Sequence, residues 1–115
     1  MKLREVVEIL DGKLLFEGVN LEIDIPCAFG SDLISDILMS TKEPTLLLTG
    51  LVNLQIIRVS DMIDLFGIVF VRGKIPPDEV IEMAKERNLP LISTKYTLFK
   101  SSGLLYNHGL RSCKI

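Results

Sequence analysis

The hydrophobic positions of this chain follow a helical period at the start, lose it, and then alternate between short apolar runs and amphipathic stretches. Leu3, Val6, Val7 and Leu10 recur at spacings of three and four, which predicts a helix over 2–10 ended by Asp11-Gly12. Residues 14–16 and 21–25 read as two strands joined by a turn at 17–20. The second alternates cleanly, so one of its faces is expected to be wet. Residues 26–30 read as a connector. Ser31 or Asp32 then caps a helix with Leu33, Ile34, Ile37 and Leu38 on its apolar face. Asp32, Ser35 and Asp36 fall mostly on the opposite side.

The chain changes character at 41–44 and becomes regular afterwards. Residues 46–49 form a predicted strand, and 53–66 a helix with Gln55, Arg58, Asp61 and Asp64 as a polar stripe at spacing three. The rest of that helix is apolar over an arc wider than one sheet face needs, which calls for cover from the N-terminal half or a second subunit. Gly67 ends it, and 68–71 is the next strand. Pro76-Pro77-Asp78-Glu79 is a helix start: proline tolerates the first turn, and the carboxylates oppose the positive end of the dipole. Lys85 and Arg87 suit the other end, which Asn88 and Pro90 stop. A strand at 91–93 and a helix over 96–107, carrying Leu98, Phe99, Leu104 and Leu105, complete the pattern.

Strand–helix alternation with apolar, non-alternating strands implies parallel strands covered on both faces. The expected fold is a single three-layer α/β domain over 1–115, with a mainly parallel sheet flanked by helices. The 115 residues suit one domain, and 48% hydrophobic content is enough for a core. A net charge of −2 and the lack of a basic face argue against nucleic-acid binding. No apolar stretch reaches membrane-span length and the N-terminus is charged early, so the expected compartment is the cytoplasm. The two cysteines, Cys27 and Cys113, stand in no metal-ligand spacing and read as reduced thiols. The single histidine, His108, reads as a surface or helix-end residue.

Chemistry concentrates where the apolar runs end. Thr49-Gly50, Arg72-Gly73-Lys74 and Ser93-Thr94-Lys95 each follow a predicted strand. Parallel strands bring these tails to one sheet edge, where open α/β sheets bind ligands. Thr49, Gly50, Arg72, Gly73, Lys74, Ser93, Thr94 and Lys95 are therefore the candidate residues for a small anionic or nucleotide ligand. No metal or cofactor is expected. Gly67 to Lys74 is not a phosphate loop: five residues separate the glycines where the motif has four, and Ile75 stands where the metal-binding hydroxyl belongs. Asp32/Asp36 and Asp61/Asp64 read as solvated helix faces, with Arg58 and Asp61 placed for a surface ion pair. Ser101-Ser102-Gly103 lies inside a helix rather than on a nucleophile elbow, and reads as a close-packing site.

Leu47-Leu48-Thr49-Gly50, Ile68-Val69-Phe70-Val71-Arg72-Gly73, Pro77-Asp78-Glu79-Val80-Ile81-Glu82-Met83-Ala84 and Leu89-Pro90-Leu91-Ile92-Ser93-Thr94-Lys95-Tyr96-Thr97, in that order, resemble the DRTGG domain family. They are also similar to the N-terminal domain of HPr kinase/phosphorylase. Gly30-Ser31-Asp32-Leu33-Ile34-Ser35-Asp36-Ile37-Leu38 looks like the same family's early helix. Of the family's loop pattern, Gly50 and Gly73 carry over, while Gly50-Leu51-Val52 stands for Gly-Asp-Arg and Arg72-Gly73-Lys74 for Thr-Gly-Gly. The resemblance implies a three-layer α/β fold, self-association and an accessory role without catalysis. The expected function is thus a non-catalytic regulatory or ligand-sensing domain acting as a homodimer. The alternatives are an interaction subunit docking on a partner enzyme, or a small enzyme using Arg72, Lys74 or Lys95 on a phosphorylated substrate.

Overall fold

The computed structural model describes residues 1–40 and 42–114; residue 41, in the predicted boundary segment, and residue 115 lie outside it. The elements are α1 (Leu3–Ile9), β1 (Lys13–Leu14), β2 (Cys27–Gly30), α2 (Ile34–Ser40), β3 (Thr45–Thr49), α3 (Leu54–Arg58), β4 (Leu65–Phe70), α4 (Asp78–Glu86), β5 (Leu91–Ser93), α5 (Leu98–Asn107) and β6 (Arg111–Ser112). A 3₁₀ turn, Val59–Asp61, extends α3. The six strands lie in the order β1-β5-β4-β3-β2-β6, and all neighbours are parallel except β1 with β5.

The expected three-layer α/β domain is the observed one. Successive side chains of the central strands point to opposite faces. Leu46, Leu48, Val69, Val71 and Ile92 meet Leu3, Val6 and Leu10 of α1 and Leu105 of α5. Leu47, Ile68, Phe70 and Leu91 meet Ile37 of α2, Ile56 and Ile57 of α3, and Val80 and Ala84 of α4. Both faces are dry, which is why these strands read as unbroken apolar runs.

Five local expectations are corrected. Residues 14–16 and 21–25 do not form a hairpin. Lys13 and Leu14 pair antiparallel with Ser93 and Ile92 instead. The 21–25 segment caps α1: the carbonyls of Ile23 and Leu21 accept from the amides of Leu3 and Arg4 at 3.0 and 2.9 Å. Those are first-turn amides that no intrahelical carbonyl can reach. The 26–30 connector is largely strand β2, recruited because it has β3 on one side and β6 on the other.

The predicted 53–66 helix is two elements. Asn53 caps α3 by accepting from the Ile56 amide. The helical turns end by Asp61, and Leu65 and Phe66 already belong to β4, with Leu65 opposite Thr45. The wide apolar arc was a helix face and the start of a strand read as one stripe. Gly67 is a buried strand residue rather than a helix breaker.

The cysteines are not free thiols. β6 runs beside β2 and brings Cys113 to Cys27, where they form a disulfide with Cα atoms 4.8 Å apart. Nothing in the hydrophobic pattern announced β6, so nothing announced the pairing. Among the described residues, no helix is long and apolar enough to cross a membrane.

Candidate ligand site at the carboxyl edge of the sheet

Because β2 to β6 run in one direction, Gly30, Thr49-Gly50, Arg72-Gly73-Lys74 and Ser93-Thr94-Lys95 all leave the sheet at the same edge. The chain after β4 enters α4 on one face, and the chain after β5 enters α5 on the other. The connections diverge there, which is where open sheets form a ligand crevice.

Here the crevice is bridged by backbone. The amide of Arg72 donates to the carbonyl of Tyr96 at 2.8 Å, and that of Gly73 to the carbonyl of Thr94 at 2.8 Å. The Ser93 hydroxyl donates to the Lys74 carbonyl at 3.0 Å. Arg72 and Gly73 are both left-handed, with φ of 62° and 70°. For an arginine this conformation costs about 1 kcal/mol, and the two cross-loop amide bonds hold it.

The predicted residues divide by what their side chains do. Thr94 is buried; its hydroxyl donates to the Leu10 carbonyl at 2.7 Å and accepts from the Tyr96 amide. Lys74 is exposed, and its ammonium donates to the Gly50 carbonyl at 3.0 Å. Among the described residues, the Arg72 guanidinium and the Lys95 ammonium have no hydrogen-bonding or ionic partner, and both residues are exposed. Beside Lys95, the Lys100 ammonium sits 4.0 Å over the Tyr96 ring.

Asp32 belongs to this site, although the helical pattern assigned it to a solvated face. Its Oδ1 accepts from the Gly50 amide at 2.6 Å and from the Thr49 hydroxyl at 3.1 Å. Asp32 precedes α2, on the loop leaving β2, and the parallel register sets that loop beside the end of β3. The signal for it was tertiary: two loops after neighbouring parallel strands are neighbours. Gly50 leaves room for the cluster. A Cβ there would lie 2.6 Å from Arg72 Nη2 and 3.4 Å from each Asp32 carboxylate oxygen.

Other polar clusters are satisfied internally. Asp61 pairs with Arg87 (3.0 and 3.1 Å) rather than with the expected Arg58. That contact holds the Asp61 carboxyl below its ordinary range. Arg87 lies at the end of α4, which packs against α3, so the pair joins two elements instead of one helical turn. Cys27, Glu43 and Cys113 bring potential metal-ligand atoms within 4.8 Å of one another. The sulfurs are bonded to each other, and Glu43 takes a two-pronged contact from Arg111 and the Lys114 amide. His108 ends α5, with Nδ1 2.8 Å from the Leu104 carbonyl. Of the expected close-packing residues Ser101-Ser102-Gly103, Ser101 is fully buried with its hydroxyl unpartnered among the described residues, while Ser102 and Gly103 are exposed.

No protein-family model matches the chain, and no curated protein is similar to it. Among solved structures it is similar to the CBS and DRTGG domains of the regulatory region of Clostridium perfringens pyrophosphatase, complexed with the activator diadenosine tetraphosphate. The identity is 16% and the TM-score 0.64, over 90% of this chain and 45% of that one. This chain therefore spans less than half the length of the protein it matches. At that identity the likeness establishes architecture: the fold is a three-layer α/β domain like those of a pyrophosphatase regulatory region.

Proposed function

We propose that this chain is a non-catalytic regulatory domain of the DRTGG type that senses a small anionic ligand, a nucleotide being the leading class, at the carboxyl edge of its sheet. One observation carries the reading: the unpaired Arg72 guanidinium lies over Gly50, beside the loop amides of the converging strand ends. Arg72, Lys74 and Lys95 supply charge, Thr49 and Gly50 supply hydrogen bonds, and Gly73, Ser93 and Thr94 hold the loops in register. The architecture shared with a regulatory region complexed with a dinucleotide activator supports the same reading. The cytoplasm is the compartment proposed, with the Cys27–Cys113 bond buried away from reductant.

The domain acts as a homodimer in this proposal. Met39 on α2 is 81% exposed, and Met62, 72% exposed, lines a groove with Ile34, Leu38 and Val59 between α2 and the α3 turn. Static light scattering that returns a monomer at high micromolar concentration removes this half. For the ligand, ATP, AMP and diadenosine tetraphosphate are screened by thermal shift. A ligand at 100 times its dissociation constant adds about 2.7 kcal/mol. Stabilisation that Arg72→Gln abolishes supports the site, and no shift with any of them overturns the nucleotide reading.

A further inference from the structure

The groups aimed at Asp32 are all donors. The Gly50 amide and the Thr49 hydroxyl point at one carboxylate oxygen. The hydroxyl's direction is set, because its oxygen already accepts from the Leu51 amide at 3.1 Å, leaving its proton for Asp32. The Arg72 guanidinium lies over the same face of Gly50 without pairing to the carboxylate. Lys74 adds a second cation on the Gly50 carbonyl. An amide and a hydroxyl meeting one carboxylate oxygen, with a guanidinium held nearby over Gly50, form an oxyanion cradle, and in this structure the oxyanion is the protein's own side chain.

We infer that Asp32 is a built-in occupant of an anion site formed by Gly50, Thr49 and Arg72, and that a phosphate or carboxylate group of a ligand binds there by displacing it. The inference deepens the proposed regulatory reading and rests on its location at this edge. Displacement is mechanically cheap. Asp32 is exposed and precedes the first helical residue of α2, Ile34. Its neighbour Leu33 is 56% exposed, and among the described side chains of α2 the one fully buried in the core is Ile37, more than a turn further on. A side-chain rotation at Asp32 therefore empties the cradle without disturbing packing.

The test measures binding of inorganic phosphate, and separately of malonate, by calorimetry at constant ionic strength. Wild type, Asp32→Ala, Asp32→Asn and the double variant Asp32→Ala/Arg72→Gln are compared. Removing the resident carboxylate is expected to tighten binding of at least one anion by tenfold or more, and the arginine change to reverse the gain. Tightening for phosphate alone assigns a phosphate ligand; tightening for malonate alone assigns a carboxylate. Equal or weaker binding of both anions by the Asp32 variants overturns the inference. Asp32→Asn keeps an acceptor for the Gly50 amide, so it decides the matter if Asp32→Ala does not fold. Anion binding by the variants with no nucleotide response in wild type would sink the nucleotide reading and leave the cradle standing; a wild-type nucleotide response without tightening does the reverse.

Discussion

The hydroxyl of Thr94 donates to the carbonyl of Leu10 at 2.7 Å, joining the end of β5 to the end of α1 across 84 positions of sequence. Both residues are buried. Thr94→Val keeps the shape and removes the hydroxyl, taking the donor from the Leu10 carbonyl and the acceptor from the Tyr96 amide. The expected loss is about 1–3 kcal/mol, read from the urea midpoint. A midpoint unchanged from wild type would show that water satisfies the carbonyl. Thr94 thus ties the loop after β5 to the N-terminal helix.

Gly12 lies in the same corner. A Cβ there would meet Ile92 Cγ2 at 2.7 Å, and Ile92 is fully buried in β5. The methyl has no flexible neighbour to push aside, so Gly12→Ala should cost about 1–3 kcal/mol by overpacking. Thermal unfolding of the single variant measures this. Ile92→Val in the same chain should recover part of the loss, because it trims the side chain that blocks the methyl.

The Cys27–Cys113 bond closes a loop with a sequence separation of 86. Constraint of the unfolded chain over that length is worth roughly 4–5 kcal/mol. Oxidised protein is therefore expected to unfold at a clearly higher urea concentration than protein reduced in dithiothreitol, or than Cys27→Ala/Cys113→Ala. Superimposable curves would mean that the Cys27–Cys113 bond adds nothing to global stability.

Glu43 anchors the same strand. Arg111 meets both of its carboxylate oxygens at 2.8 Å, and the Lys114 amide donates at 2.7 Å. The Arg111 hydrogen bond first, then the Lys114 amide, bring its pKa from the ordinary 4.5 down to about 2. A depressed folded value means the contribution is fully present above the ordinary carboxylate range. It is lost as pH falls from about 4.5 to about 2. Carboxyl NMR titration should place the Glu43 midpoint near the lower value, and Arg111→Ala should return it toward the ordinary one. A wild-type midpoint in the ordinary range would show the pair is not formed in solution.

What the linear pattern determined was the central sheet and its carboxyl edge. Leu46 to Leu48, Ile68 to Val71 and Leu91 to Ile92 are apolar at every position because both strand faces are covered, and that signal is local. The start of α4 was legible for the same reason, since Pro77, Asp78 and Glu79 act on the nearest turn. What only the tertiary structure decided were pairings between distant segments: β2 and β6 as strands, the carbonyls of Leu21 and Ile23 capping α1, the Cys27–Cys113 bond, and Asp32 on Gly50. Short edge strands and single polar contacts leave no period in a sequence, because their partners lie elsewhere in the chain. The site shows the division most clearly: hydroxyls and cations mark the strand ends in the sequence, while the carboxylate that fills the cradle arrives from a neighbouring loop once the parallel register is set.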